Sequence, residues 1–273
     1  MSRPFLIGIL TLANVFAWSV PVPHGLSVSF LDVGHGRAVV IHGPSGAVVL
    51  ADGGPDSSVL REIGQTLPFF VRSLDAVIAT DADAADIGGL PGVLSRYTVG
   101  AFIESGIPSD TKAAAALESA ADTFHAKRIT AHGGMRVMLG KGAYADVLSP
   151  EEGDKDGPVA MRVVYGRTSF LLPADADKKI QKRLSVSGQS RTLQSTVLQV
   201  PHYGSKDSLS PEFLHAVVPQ YAVISYGCGN RWGYPAPETL RAFTDAGTRV
   251  FGTCEKGTVT FVSDGKTLRL AER

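Results

Sequence analysis

The chain has 273 residues, enough for two average domains or one larger two-sheet domain. Hydrophobic residues make up 44% and charged residues 19%, the balance of a well-buried globular protein rather than a disordered one. Twenty-six basic residues cancel twenty-six acidic ones, which excludes a global positive field, so any nucleic-acid contact must come from a local patch.

The N-terminus reads as an anchoring or export segment. Arg3 precedes a largely apolar run from Phe5 to Val20, closed by Pro21, Val22 and Pro23. The run is at the short end of what spans a bilayer and longer than the usual apolar core of a signal peptide. Ala17 and Ser19 offer small residues for cleavage, and a buried helix of the domain is the competing reading. A positive charge ahead of one such segment places the succeeding domain on the outer face. Residues 1–24 are therefore expected to anchor or export the chain, and residues 25–273 to form the folded domain, outside the cytoplasm.

Leu26 to Leu31 alternates and predicts a strand, followed by a Gly-rich turn from Val33 to Gly36. Ala38 to His42 and Ala47 to Leu50, split by a turn at Gly43 to Gly46, continue it as a β-meander. Val59 to Phe70 has helical spacing, and Leu74 to Thr80 is a short apolar strand leading to an acidic turn. Lys112 to Lys127 is helical by its alanine content. Strands are expected at Val137 to Leu139 and Ala143 to Leu148, then a polar loop from Ser149 to Asp156. Further strands are expected at Ala160 to Tyr165, Ser169 to Leu172, Thr196 to Val200, Tyr221 to Ser225, Val250 to Gly252 and Thr258 to Val262. Helices fall at Asp177 to Leu184, Pro211 to Val217 and Pro237 to Ala246. Two strand-rich halves, each with helices and no linker between them, predict an α/β, four-layer αββα sandwich. Cys228 and Cys254 are too few for a zinc ribbon; they pair in an oxidising compartment or, on the plainer reading, are small buried residues.

Several segments carry recognisable chemistry. Phe30 to Gly34 with Gly36 is similar to Phe-Leu-Asp-Val-Gly-Gln-Gly-Asp, and Asp52-Gly53-Gly54 to an Asp-Gly-Gly strand end. Asp86 to Leu90 resembles the close of His-x-Asp-x-Asp-His-Ile-Gly-Gly, and Leu171 to Asp177 resembles Leu-Leu-Thr-Gly-Asp-Ala-Glu. Val200 to Lys206 resembles Val-Pro-His-His-Gly-Ser-Lys, and Asn230 to Pro235 resembles Asn-Arg-Tyr-Gly-His-Pro. In this order, from Leu26 to about Val262, the segments resemble the metallo-β-lactamase-fold, nuclease-like domain of ComEC-type competence proteins.

The resemblance implies a metal site, a role in DNA uptake beside a membrane channel, and degradation of the strand that is not transported. Its residue pattern is altered here. Asp81 stands at the first histidine, Asp83 keeps an aspartate, Ala85 replaces the next, and Asp86 stands at the closing histidine. Asp175 and His202 are kept, whereas Tyr203 and Tyr234 replace histidines, and His35 and Arg37 replace glutamine and aspartate. Such a hydrolase needs ligands converging on two cations and a water acidified by them. Asp81, Asp83, Asp86, Asp175 and His202 still offer a degenerate metal set, with Asp52, Tyr203, Asn230 and Tyr234 at the site edge. A carboxylate-only set suits magnesium, calcium or manganese, and a neutral imidazole such as that of His202 suits zinc or manganese. Four aspartates without a cation would repel one another. Asp83 and Asp86 are equally explained as helix caps, Asp175 as the residue before a helix, and His202 as a turn histidine. The cofactor is thus either none or a divalent metal, and the expected role is binding or scaffolding with impaired catalysis. The alternatives are an active phosphodiesterase with an Asp-rich site and a structural partner of a membrane DNA channel. Lys178, Lys179, Lys182 and Arg183 form a basic stretch that is a solvated face or touches phosphates.

Overall fold

Apolar side chains on both faces of the central strands decide the architecture. In strand β1 (Leu26–Phe30), Leu26, Val28 and Phe30 point to one core. In β2 (Val39–His42) and β3 (Val48–Ala51), Val39, Ile41, Val49 and Ala51 join them while Val40, Val48 and Leu50 enter a second core behind. Strands buried on both faces read as continuous apolar runs and need a layer on each side. The computed structural model describes residues 25–271 except 107, 152, 153, 155, 156 and 187–192. The apolar run from Phe5 to Val20 lies outside them, as does part of the expected loop from Ser149 to Asp156. No helix among the described residues is long and apolar enough to cross a membrane.

The first half continues through α1 (Ser58–Thr66), β4 (Ser73–Ala79), α2 (Ala84–Ile87), α3 (Leu90–Arg96), β5 (Thr98–Glu104), α4 (Lys112–Thr123) and β6 (Arg128–Thr130). The second half adds β7 (Arg136–Gly140), β8 (Ala143–Ser149), β9 (Ala160–Tyr165), β10 (Thr168–Leu172), α5 (Lys178–Val186) and β11 (Val197–Gln199). A 3₁₀ turn (Pro201–Gly204) follows, then α6 (Pro211–Val217), β12 (Tyr221–Ile224), α7 (Pro237–Asp245) and β13 (Arg249–Gly252). The chain returns to the first sheet through α8 (Thr253–Lys256), β14 (Val259–Ser263) and β15 (Leu268–Leu270).

Two sheets result, with orders β15-β14-β1-β2-β3-β4-β5-β6 and β13-β12-β11-β10-β9-β8-β7. Each has an antiparallel part and a parallel part: β3 to β6 run parallel in the first, β10 to β13 in the second. The sheets enclose one core, in which Phe261 meets the rings of Phe30, Phe170, Tyr221 and Phe251 at 5.3–6.4 Å. Burying each such phenylalanine contributes about 1.5–3 kcal/mol. Helices α1, α3 and α4 cover the outer face of the first sheet, and α5, α6 and α7 that of the second. This is the four-layer αββα arrangement expected from the sequence. Ligand sites in such sheets lie beyond the carboxyl ends of the parallel strands, and Asp52, Asp81, Asp175 and His202 follow β3, β4, β10 and β11 there.

Some elements differ from expectation. Helix α1 stops at Thr66 instead of Phe70, because Leu67 precedes Pro68 and is extended (φ −100°, ψ 152°). Strand β5, not anticipated, contains Gly100, whose missing side chain leaves room for the Asp75 carbonyl of β4. Cys228 and Cys254 are disulfide-bonded, and neither is buried, which corrects the plainer reading of two buried thiols. The bond ties the loop after β12 to α8.

Candidate functional site

Four loops converge on one guanidinium. Arg37 lies between β1 and β2, follows Gly36, and is 1% exposed. A side chain at Gly36 would collide with the Ala85 carbonyl, so only glycine lets this loop close onto α2. The Arg37 main chain is held at both ends: its N–H donates to the Asp86 carboxylate at 2.9 Å, and its carbonyl accepts from Gly54 at 2.7 Å.

The side chain then fans out among the acids. Nη1 donates to Asp175, and Nη2 donates to both Asp81 and Asp86 at 2.6 Å. Nε faces Asp52 at 3.6 Å, without a hydrogen bond among the described residues. Tyr203 donates its hydroxyl to Asp86 at 2.9 Å, and its ring centre lies 5.5 Å from the guanidinium carbon. Asp52 accepts from the Thr80 N–H and hydroxyl at 2.8 and 2.7 Å. Asp175 accepts from the His202 N–H at 2.9 Å, with the imidazole Nδ1 at 3.6 Å. That amide is aimed by a backbone with positive φ at His202 (46°), Tyr203 (54°) and Gly204 (78°). Buried Gln181 fixes the turn after Asp175, donating to the carbonyls of Ala176 and Ser208 and accepting from Ser210.

One positive charge facing four carboxylates shapes their titration. Burial raises Asp86 well above the carboxylate range, against the pull of Arg37. Burial likewise raises Asp81, and lifts Asp52 to about 7. For Asp175, burial is outweighed by Arg37 and His202, and its pKa falls. Arg37 itself is held above its ordinary value: desolvation opposes its charge, but Asp86, Asp175, Asp81 and Asp52 outweigh that.

The residues expected at the site are thus largely gathered, with some in other roles. Oxygens of Asp81, Asp86 and Asp175 lie within 4.8 Å of one another, a spacing able to hold a hard cation, and they are the carboxylates that Arg37 engages. Asp83 is the N-cap of α2, accepting from Ala85 at 2.9 Å, and stands exposed on the rim. Asn230 does not face the cluster; its amide holds Tyr234, donating to that carbonyl at 2.7 Å and accepting from that N–H at 2.9 Å. In the sequence, Arg37 is visible only as a departure from the motif, with no role attached to it. A basic residue at an acidic position, in a chain that has also lost histidines, was the available signal.

A cavity of about 820 Å³ opens over the cluster. His35 stacks on Trp232 (4.2 Å, 17°) and lies 4.5 Å from the Tyr203 ring; Tyr234 is parallel to Trp232 at 6.3 Å. Lys178, Lys179, Asp177 and Asp207 also line the cavity. Within the basic stretch, Lys178 pairs with Asp207 at 2.6 Å and Arg183 with Asp154 at 2.8 Å. Burial lowers the His35 pKa against the pull of Asp83.

No family model matches the chain. It is 28% identical over 256 residues to ComE operon protein 3 of Bacillus subtilis, covering 86% of this chain and 32% of that protein. Competence protein ComA of Neisseria gonorrhoeae is 33% identical over 108 residues, 40% of this chain and 16% of that protein. Recombination protein 2 of Haemophilus influenzae is 28% identical over 218 residues, 76% of this chain and 25% of that protein. The chain spans about a third or less of each of these relatives. Among solved structures, the metallo-β-lactamase-fold protein YhfI of Bacillus subtilis superposes with a TM-score of 0.56 at 13% identity, covering 88% of this chain and all of that one. CmlA, a diiron β-hydroxylase from Streptomyces venezuelae, gives a TM-score of 0.56 at 16% identity, covering 88% of this chain and 55% of that one.

Proposed function

We propose that this chain, a metallo-β-lactamase-fold relative of the ComEC-type competence proteins, serves DNA uptake by binding or scaffolding rather than by cutting. The observation that carries the reading is the Arg37 guanidinium among Asp52, Asp81, Asp86 and Asp175. Two-cation hydrolysis needs those oxygens for metal and for a metal-bound water. With the guanidinium on them, the donor set does not fit a divalent ion, which would have to share its oxygens with a fixed positive charge.

DNA contact is supported by the cavity wall above the cluster. Trp232, 49% exposed, stands with His35 and Tyr234 in an aromatic group that suits stacking on unpaired bases, with Arg231 beside the Trp232 ring. Placement outside the cytoplasm, with residues 1–24 as membrane anchor or signal segment, is supported by Arg3 ahead of the apolar run. It is also supported by the Cys228–Cys254 disulfide, since such bonds persist in oxidising compartments.

The test is cleavage of labelled single- and double-stranded DNA by the full chain with magnesium, manganese or zinc, beside an Asp83→Ala/Asp175→Ala double variant. The expected result is no cleavage above the double variant, with binding of single-stranded DNA that weakens in Trp232→Ala. Metal-dependent cleavage by the wild type that disappears in the double variant would instead establish the active phosphodiesterase. Absence of both cleavage and DNA binding would leave a structural partner of the uptake channel.

A further inference from the structure

We propose that Arg37 is the resident cation of this site, and that Asp81, Asp86 and Asp175 around it form a latent divalent-cation site that its side chain closes, with the Tyr203 hydroxyl beside it on Asp86. The inference deepens the non-cutting reading above and rests on its account of the cluster, though not on DNA contact.

Geometry carries the argument. A metal ion holds carboxylates together by drawing one oxygen from each toward a common centre. Here that convergence exists, with oxygens of Asp81, Asp86 and Asp175 within 4.8 Å of one another, and Arg37 supplies the charge they face. A planar fork suits the task, because its N–H groups point in fixed, divergent directions. Two of its nitrogens bond three acids from two different sheets, and the third, Nε, is aimed at Asp52. The side chain is no arm swinging in from solvent, for it is 1% exposed and its own N–H and carbonyl are clamped by Asp86 and Gly54.

A second exchange accompanies the first. The Tyr203 hydroxyl, at a position where the resembling motif carries a histidine, donates to the same Asp86 oxygen as Nη2. Asp86 thus has two donors on one oxygen and the Arg37 N–H on the other. Both oxygens that Asp86 could turn to a metal accept from N–H and O–H groups. A chain that had simply lost its metal would leave these acids facing one another, relieved only by protonation. Here a counter-charge that is covalently part of the chain lies among them.

Deleting the guanidinium should then leave a carboxylate pocket with the chemistry of a manganese or magnesium site. The full chain, its Arg37→Ala variant and an Arg37→Ala/Asp175→Asn variant are stripped with chelator and dialysed against manganese. Bound metal is measured by elemental analysis and melting temperature by calorimetry. The wild type should retain no manganese and melt at one temperature with manganese or chelator. Arg37→Ala should melt lower in chelator, recover part of the loss with manganese, and bind about one ion per chain. Adding Asp175→Asn should reduce that uptake at least about tenfold. If Arg37→Ala does not fold in chelator, refolding from denaturant decides: recovery with manganese alone supports the proposal, and recovery with neither overturns it. An Arg37→Lys chain, which keeps the charge, should fold and take up no manganese.

Stoichiometric manganese on the wild type would overturn the proposal, because Arg37 would not then be excluding metal. So would an Arg37→Ala chain that folds and binds none. Neither outcome by itself decides the DNA-uptake reading, which stands or falls on the cleavage and binding assays.

Discussion

Asp86→Ala is the perturbation that most directly tests the buried cluster. The side chain is fully buried, and its oxygens accept from the Arg37 N–H at 2.9 Å, from Nη2 at 2.6 Å and from the Tyr203 hydroxyl at 2.9 Å. Truncation strands three donors out of reach of solvent, each costing about 1–3 kcal/mol when left unsatisfied. Relief of repulsion on Asp81, Asp52 and Asp175 offsets part of this, so a net loss of about 4 kcal/mol is expected, within the range for breaking a buried ion pair. Against a total stability of about 5–15 kcal/mol, that loss moves the denaturant midpoint far outside error. Tyr203→Phe removes only one of the three donors and should cost about 1–2 kcal/mol. In the Asp86→Ala background the same change should cost nothing or recover up to about 1–3 kcal/mol, because it removes a hydroxyl that has already lost its acceptor. Equilibrium unfolding in urea of the four chains measures both numbers. A loss below about 1 kcal/mol for Asp86→Ala, or an equal Tyr203→Phe cost in both backgrounds, would refute the reasoning.

Asp83→Ala should cost only about 1 kcal/mol, the value of a lost helix cap, since its carboxylate meets the Ala85 N–H at an exposed rim; urea midpoints check this. Stability should also depend on pH through Asp52, whose pKa rises from 3.8 in the unfolded chain to about 7 in the fold. Between those values the native state holds a proton that the unfolded chain has released, so stability falls as pH climbs from about 4 to about 7 and levels above. The rises at Asp81 and Asp86 act in the same sense and the fall at Asp175 opposes them. Asp52→Asn should flatten the slope in midpoints measured across that window. Replacing Cys228 and Cys254 by serine should lower stability by about 3.5 kcal/mol, the loop-closure value for a bridge of this span. The wild type in reductant should lose the same amount.

Much of this fold was legible in the sequence because the signals were local. Leu26, Val28 and Phe30 alternate with serines, and the glycines at 34, 36, 53 and 54 mark turns that a structure with two docked sheets requires. Strand β5 was not legible: Gly100 and Glu104 break its apolar character, and its place between β4 and β6 is a tertiary fact. The pairing of Cys228 with Cys254 was open for the same reason, since spacing alone says nothing about two loops meeting. At the site, Asp81, Asp86 and Asp175 could be named from motif order. The role of Asp83 could not be separated from theirs, because a cap and a ligand leave the same letter. Arg37 was the residue hardest to read. Its partners lie 15, 44, 49 and 138 positions away, and no local pattern announces a charge that serves all of them.

Those separations bear on the order in which the molecule assembles. Arg37, Asp52, Asp81 and Asp86 belong to loops of the first sheet, whereas Asp175 and Tyr203 hang from the second. The charge cluster is complete only when the two sheets have met in register. Until then Arg37 and its nearer acids are solvated, and water satisfies them at no cost. The cluster therefore behaves as a clasp that shuts after the body has closed, resisting opening more than it speeds closing. Asp175→Ala should accordingly accelerate unfolding while leaving the folding rate nearly unchanged, whereas Phe261→Ala, in the core between the sheets, should slow folding as well.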